Sequence, residues 1–279
     1  MTGASPFPEP PILRVADVEI AYPRRGLLAL LGMGQPFVAV RDFSMDIHAG
    51  ETVALVGESG SGKSSIARAV AGLLPARRGR IEFEGRDINL PSSRRDRQTR
   101  HDLQMVFQNP DASLNPRHSV GFILERALRA FRPLGRGDAR DAVDALLADV
   151  KLDGGYRRRF PRQLSGGERQ RIAIARALAA EPRLLLCDEV LSALDVSVQA
   201  EVIDLLRSLQ EARRIAILFI SHDLSVVRWL AHRVVVLYRG EVCAAGPTVD
   251  VFSPPFHPYT QALLEAVPRI GHKPVPAAP

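Results

Sequence analysis

The stretch Gly57-Glu58-Ser59-Gly60-Ser61-Gly62-Lys63-Ser64 constrains this chain more than any other. It follows residues 51–56, which alternate and then turn continuously apolar, as a buried strand does. Apolar residues at helical spacing follow it from 64 to 74, with Pro75 as the expected stop. Strand, Gly-rich turn and helix form the context in which G-x-x-x-x-G-K-[ST] works as a phosphate loop. Glycines let successive backbone N–H groups turn toward phosphate oxygens. The start of the helix adds partial positive charge at the same place. In such a loop Lys63 belongs on the β- and γ-phosphates and the Ser64 hydroxyl on Mg²⁺, with Ser65 in the same helix start.

A carboxylate pair, Asp188-Glu189, follows the apolar run 184–187. An acid at the C-terminal end of a buried strand is placed to hold the Mg²⁺ of a phosphate-loop protein, and Asp188 takes that role. Glu189 is then placed to orient or deprotonate an attacking water. Together the two segments specify a nucleoside triphosphatase.

The rest of the chain reads as an α/β core with a mostly parallel sheet. Short strands are expected from 12 to 47, interrupted by 26–36, and again at 80–83 and 103–107. Residues 119–150 are helical, with Val120, Ile123, Leu124, Ala127 and Leu128 on one face and Ala142, Leu146 and Leu147 on another. The loop 133–138 parts them, so this region is an inserted helical subdomain. Helix 165–180, strand 184–187, helix 198–212, strand 215–220 and the strand pair 234–237 and 241–244 follow. The first eleven residues are Pro-rich and expected to fray. A Pro-rich tail carries a short helix near 259–266.

Leu164-Ser165-Gly166-Gly167-Glu168-Arg169-Gln170 narrows the class. Ser165 reads as a helix N-cap, Glu168 as its capping-box partner, and the glycines as freeing backbone amides. That makes a second anion-binding helix start, far in sequence from the first. Two such starts imply either two nucleotides per chain or one nucleotide shared across a dimer.

Composition removes other classes. Hydrophobic residues make up 46% and charged residues 24%, an ordinary globular mixture. No apolar run nears the roughly 18 residues that span a bilayer, and the N-terminus lacks a secretory pattern. A cytoplasmic protein, attached to membranes only through partners, is expected. The formal charge of +6 invites nucleic acid, but the basic residues are scattered. Arg94, Arg95, Arg97 and Arg100 read as a solvated loop or helix start. Cys187 and Cys243 have neither metal-ligand nor disulfide spacing, and Cys187 reads as a buried, reduced thiol.

With these residues in view, the chain resembles the ABC ATPase family over nearly all its length. Leu164–Gln170 matches that family's signature. It lies between Gln108, in the Q-loop position, and Asp188-Glu189. Ser192-Ala193-Leu194-Asp195 matches the D-loop, His222 the switch histidine, and Tyr22 the aromatic that stacks on adenine. The resemblance implies a phosphate-loop core with an antiparallel β subdomain and an inserted α-helical subdomain. The ATPase domain is expected over 12–253, its helical part at about 112–165, and the tail over 254–279. It implies a head-to-tail dimer, in which the phosphate loop of one subunit and Ser165, Gly166, Gly167 and Glu168 of the other enclose each ATP. It further implies that His222 contacts the γ-phosphate, that Gln108 senses Mg²⁺ and water, and that Asp195 borders the nucleotide.

Two segments look like the oligopeptide, dipeptide and nickel importer branch: Asn109-Pro110-Asp111-Ala112-Ser113-Leu114-Asn115-Pro116, and Pro254-Pro255-Phe256-His257-Pro258-Tyr259-Thr260-Gln261-Ala262-Leu263-Leu264. The tail also reads as a Pro-stiffened segment whose helix packs on the core. The apolar segment 27–37 looks like the second of the two ATPases in such systems. The implied partners are a sister ABC ATPase (a different one favoured), two membrane permease subunits and an extracytoplasmic substrate-binding protein, at the cytoplasmic face of the inner membrane. Peptide is the favoured cargo. Nickel, another small solute, or a soluble role in a phosphonate-cleaving complex are the alternatives. Val190 and Leu191 stand where many relatives have Pro and Thr, with the flanking active residues intact. A lone Cys243 near the C-terminus argues against an iron–sulfur cluster. No long heptad arms or zinc insertion point to a DNA-repair ATPase.

Overall fold

The computed structural model describes residues 9–23 and 36–265. Two sheets organise it. The first runs β2-β1-β4-β5, from β1 (Leu13–Tyr22), β2 (Phe37–Ile47), β4 (Arg78–Phe83) and β5 (Arg86–Asp87), and is antiparallel throughout. The second runs β10-β9-β3-β8-β7-β6, from β3 (Thr52–Val56), β6 (Leu103–Val106), β7 (Leu184–Asp188), β8 (Ala216–Ile220), β9 (Arg233–Tyr238) and β10 (Glu241–Pro247). Its pairs are parallel except β9 with β10.

The central strands are apolar on both faces because each face meets a different core. Val53 and Leu55, Leu184 and Leu186, and Leu218 and Ile220 pack with the four-stranded sheet and with α1 (Lys63–Val70). Ala54 and Val56, Leu185 and Cys187, and Ile217 and Phe219 pack on the helical side. The strict alternation is the two-residue period of a strand, and coverage of both faces explains the unbroken apolar runs.

The helical side holds α3 (Val120–Phe131), α4 (Arg136–Asp149), α5 (Gly166–Leu178), α6 (Val196–Arg213) and α7 (Leu224–Leu230). Val120, Ile123, Leu124 and Leu128 of α3 meet Leu146 and Leu147 of α4 in that core. The inserted helical region therefore shares one core with the sheet. The short helix α2 (Arg97–Asp102) joins β5 to β6, α8 (Thr248–Val251) follows β10, and α9 (Pro258–Glu265) lies in the tail. Tyr259, Leu263 and Leu264 of α9 pack against the helical-side core.

Several expectations need correction. The strands from 12 to 47 are long, not short, because β1 and β2 zip together through bulged registers, with Asp17 and Asp42 at positive φ. Helix α1 ends at Val70, well before Pro75. Gly72, at φ 73, donates to the Ala69 carbonyl and the Leu73 N–H donates to that of Arg68, a Schellman stop. The loop after α3 is shorter than 133–138, because α4 begins at Arg136 behind Gly135. Residues 27–35 of the apolar segment 27–37 lie outside the described residues, and Phe37 opens β2.

Arg95 is the clearest correction: it is 6% exposed, not solvated. Its guanidinium donates to the carbonyls of Val70 (2.6 Å), Ala69 (3.3 Å) and Leu90 (3.0 Å). The carbonyl end of α1 carries partial negative charge, which a buried cation offsets. Burial pushes the Arg95 pKa down to about 10.

Candidate active site

The phosphate loop joins β3 to α1. Gly57 has φ 145, and a side chain there would bring its Cβ within 2.2 Å of the Leu237 carbonyl oxygen. No L-residue fits this approach of the loop to β9, which is why glycine opens the motif. Gly62, the N-cap of α1, has φ 109 and offers no side-chain cap. The first amides of the helix are therefore left to a ligand.

Lys63 is 3% exposed. Its Nζ donates to the carbonyls of Gly57 and Glu58, each at 2.7 Å, and reaches Ser61 Oγ at 3.4 Å. Burial lowers its pKa, opposed by the charges of Glu189, Asp188 and Glu58. Neutral carbonyls are weak partners for a buried ammonium, and triphosphate oxygens are stronger ones. Ser59 and Gly60 form the exposed crown of the loop, while Ser61 is buried. Ser65 hydrogen-bonds with the Tyr22 hydroxyl at 3.0 Å. That bond sets the aromatic expected against adenine beside the start of α1.

The carboxylate strand meets this loop. Ser64 Oγ donates to Asp188 Oδ1 at 2.9 Å. Burial raises the Asp188 pKa, and the Ser64 bond lowers it only in part. A hydroxyl and a carboxylate oxygen together at a helix start suit a hard, oxygen-seeking cation such as Mg²⁺. Among the described residues no group of three or more His, Cys, Asp or Glu forms a metal cage. Mg²⁺ typically needs only one or two carboxylates when substrate phosphates supply the rest.

Glu189 departs from the strand at φ 47. For a non-glycine residue this is a strained conformation of the kind that clusters at functional sites. The amide of Gln108 donates to Glu189 Oε2 at 2.8 Å and lies 3.4 Å from Ser192 Oγ. Gln108, expected from its position alone, is thus in contact with the proposed base. His222 is exposed and lines one small depression with Glu189 and Ser192. Val190 and Leu191, the departures from the common pattern, are buried core residues. Cys187 is fully buried, its thiol pushed up to about 12 by burial.

The second helix start is built as its sequence predicts. Ser165 Oγ accepts from the Glu168 N–H at 3.2 Å, and Glu168 Oε2 accepts from the Ser165 N–H at 2.7 Å. A Cβ on Gly167 would lie 2.2 Å from Val198 Cγ1, so only glycine lets α5 seat against α6. The depression here is lined by Lys151, Tyr156, Ser165, Gly167, Glu168 and Glu201, with no residue of the phosphate loop among its lining. Asp195 caps α6, accepting from the Val198 N–H at 3.0 Å and Ser197 Oγ at 2.7 Å. That cap starts the helix two residues before the expected 198.

Four further contacts complete the site. The Tyr156 hydroxyl donates to Glu168, and Arg159 stacks on the Tyr156 ring with its guanidinium 4.0 Å from the centroid. Arg169 makes a close ion pair with Asp111 at 3.2 Å, tying α5 to the segment after Gln108. The Tyr259 hydroxyl, from the tail, accepts from the Glu58 N–H at 3.0 Å. The Asp111–Arg169 and Glu58–Tyr259 partners lie too far apart in the chain for a local pattern to signal their contact.

Comparison with known proteins agrees with this geometry. Residues 40–192 match the ABC transporter family, and residues 245–276 match the C-terminal region of oligopeptide/dipeptide transporters. An oligopeptide transport ATP-binding protein of Haemophilus influenzae is 45% identical over 84% of this chain and 71% of its own length. Its Salmonella typhimurium counterpart is 42% identical over 92% of this chain and 78% of its own length. A glutathione import ATP-binding protein of Pectobacterium atrosepticum is 44% identical over 92% of this chain but only 41% of its own length. Among solved structures, cbiO1 of Clostridium perfringens, part of an ABC transporter complex, superposes with a TM-score of 0.75. It is 28% identical over 88% of this chain and 92% of its own. The dimeric ATP-binding cassette MJ0796 bound to ADP and Pi superposes at 0.71, with 26% identity over 85% of this chain and 98% of its own. With that fold, that loop and those relatives, the chain belongs to the ABC transporter family of ATP-binding proteins.

Proposed function

We propose that this ATPase energises an importer of short peptides, working in a head-to-tail pair with a different sister ATPase. The observation that carries the cargo class is the match of residues 245–276 to the oligopeptide/dipeptide transporter tail. Glutathione is itself a short peptide, so the relatives named for its import support the same class.

In this reading Lys63 leaves the Gly57 and Glu58 carbonyls for the β- and γ-phosphates of ATP, and the amides from Ser59 to Ser65 close on the same oxygens. Tyr22 packs on adenine. Ser64 and Asp188, with Gln108, would hold Mg²⁺, which would neutralise charge on the phosphates. Glu189 takes a proton from the attacking water, and Gln108 orients its carboxylate. His222 reaches the γ-phosphate from the neighbouring depression. Ser165, Gly166 and Gly167, with Glu168 behind them and Asp195 alongside, serve the nucleotide held by the partner subunit. Charge stabilisation and positioning supply most of the catalysis.

Among the described residues no helix is long and apolar enough to cross a membrane. Attachment to the cytoplasmic face of the inner membrane is through two permease subunits. A groove of about 550 Å³, lined by Phe107, Asn115, His118, Ile123, Arg126 and Phe131 among others, runs between the Gln108 segment and the inserted helices. Its apolar floor and basic rim suit a short permease helix. The test is reconstitution of the chain with its sister ATPase and permeases in vesicles. Peptide-loaded binding protein should raise ATP turnover several-fold. Turnover indifferent to permeases, with co-purification of soluble enzymes instead, overturns the proposal.

A further inference from the structure

We infer that Tyr259, contributed by the C-terminal tail, is a positioning residue of the phosphate loop. The inference rests on reading residues 57–64 as the loop that holds ATP phosphates.

One peptide group, between Gly57 and Glu58, is held at both ends. Its carbonyl accepts from Lys63 Nζ at 2.7 Å, and its N–H donates to the Tyr259 hydroxyl at 3.0 Å. Glycine is the residue most free to let its following peptide flip. A flip here would turn the carbonyl away from Lys63 and the N–H toward the loop interior. While Lys63 stays on the Gly57 and Glu58 carbonyls, the peptide is held from both sides. Once phosphates draw Lys63 away, the bond to Tyr259 is the hold that remains on this peptide.

The tail is built to keep that hydroxyl in place. The Tyr259 ring lies 4.3 Å, centroid to centroid, from the ring of Tyr238 at the end of β9. The next residue, Thr260, is fully buried, and Leu263 and Leu264 anchor α9 on the helical-side core. Leu237, beside Tyr238, presents the carbonyl against which Gly57 packs. The Gly240 N–H, two residues on, donates to the Ser61 carbonyl at 3.0 Å. The end of β9, its turn and α9 thus hold the outer side of the loop together. Burial also raises the Tyr259 pKa, which favours the neutral phenol as acceptor.

The test is Tyr259→Phe in the full chain, which keeps the ring and removes the hydroxyl. Loss of one net hydrogen bond predicts ATP and ADP dissociation constants raised about three- to ten-fold. In the reconstituted transporter KM for ATP should rise by a like factor, with kcat falling by less. Amide exchange at Glu58 should quicken with ATP bound, whereas a residue that only packs the tail would leave that amide unchanged. Unchanged nucleotide affinity together with unchanged Glu58 exchange overturns the inference. So does a variant whose only defect is a lower melting temperature. Wild-type chain that bound no ATP would instead defeat the underlying reading of the loop, so the two failures are separable.

Discussion

Helix α1 begins at Gly62 with no side chain on its first amides, while α5 begins at Ser165 with a hydroxyl and a carboxylate already on two of its own. The glycines precede α1 but form the first turn of α5, and each start carries partial positive charge. They differ in who supplies the negative charge. At α1 the chain adds a buried lysine, sets the Asp188 carboxylate on the Ser64 hydroxyl rather than on an amide, and leaves the first amides to an anion from outside. At α5 it brings Glu168, held by Tyr156 and facing Arg159 at 3.8 Å. A carboxylate in the first turn offsets the helix dipole that would attract a free anion. The second start is therefore a weak anion site alone, which fits the proposed pair, where it would act on a nucleotide that another subunit has already bound.

The largest effects should fall on the α1 side. Glu189→Gln should cut turnover by about 100-fold or more, the scale of a lost general base, while ATP still binds. Phosphate-release assays beside nucleotide titrations separate the two, and near-normal turnover would remove Glu189 from its role. Lys63→Ala should abolish measurable ATP binding by the isolated chain. Ser165→Ala should leave that binding within about two-fold, yet lower turnover of the assembled pair, if α5 acts across the interface as proposed. Loss of its N-cap bond should cost about 1 kcal/mol, read as a melting point lower by roughly 2–4 °C. If Ser165→Ala weakened ATP binding as Lys63→Ala does, the contrast between the two starts would collapse.

Asp188→Asn tests the carboxylate that serves α1. Burial raises the pKa of Asp188, so the native state favours its protonated form. A raised native pKa means that stability falls as pH climbs from the ordinary aspartate range through the native value. Asn keeps an acceptor for Ser64 without the buried charge. The nucleotide-free variant should melt a few degrees higher than wild type at neutral pH, with the gap closing near pH 4, while hydrolysis is lost. A variant that melts lower at neutral pH would show that the Ser64 bond outweighs the burial of the charge.

The same contrast separates what the sequence makes legible from what it does not. The phosphate loop, the Asp188-Glu189 pair and the capping box at Ser165 are local patterns, since their partners lie within a few residues or in an adjacent apolar run. The two-core alternation of β7 and β8 was hidden, because strands buried on both faces carry no polar residue to mark the period. The burial of Arg95 is not legible, because charge density suggests solvent and its partners on α1 lie 25 and 26 residues away. The positive φ of Glu189 leaves no trace in residue type. Tyr259 was legible as part of a tail that packs on the core, yet its contact with Glu58 spans 201 positions. Long-range contacts of this kind follow from topology, which local periodicity does not encode.

The smallest expected effect is the most direct probe of α5. Burial pushes the Glu168 carboxyl up, but the bonds from Tyr156 and Ser165 and the charge of Arg159 outweigh it and hold the pKa below its ordinary 4.5. A depressed native pKa contributes stability above the unfolded value and loses it as pH falls through the native one. Glu168→Gln keeps a capping-box acceptor and removes the charge. The variant should melt about 1–2 °C below wild type at pH 7, with the two curves converging below about pH 4. Removing that carboxylate should also strengthen binding of inorganic phosphate at α5 by a few-fold, the scale of about 0.3–1 kcal/mol for a charge at a helix start. Phosphate binding that stayed the same or weakened would mean that Glu168 does not set α5 apart from α1. The difference would then lie in the lysine and the wrapped glycines of the phosphate loop alone.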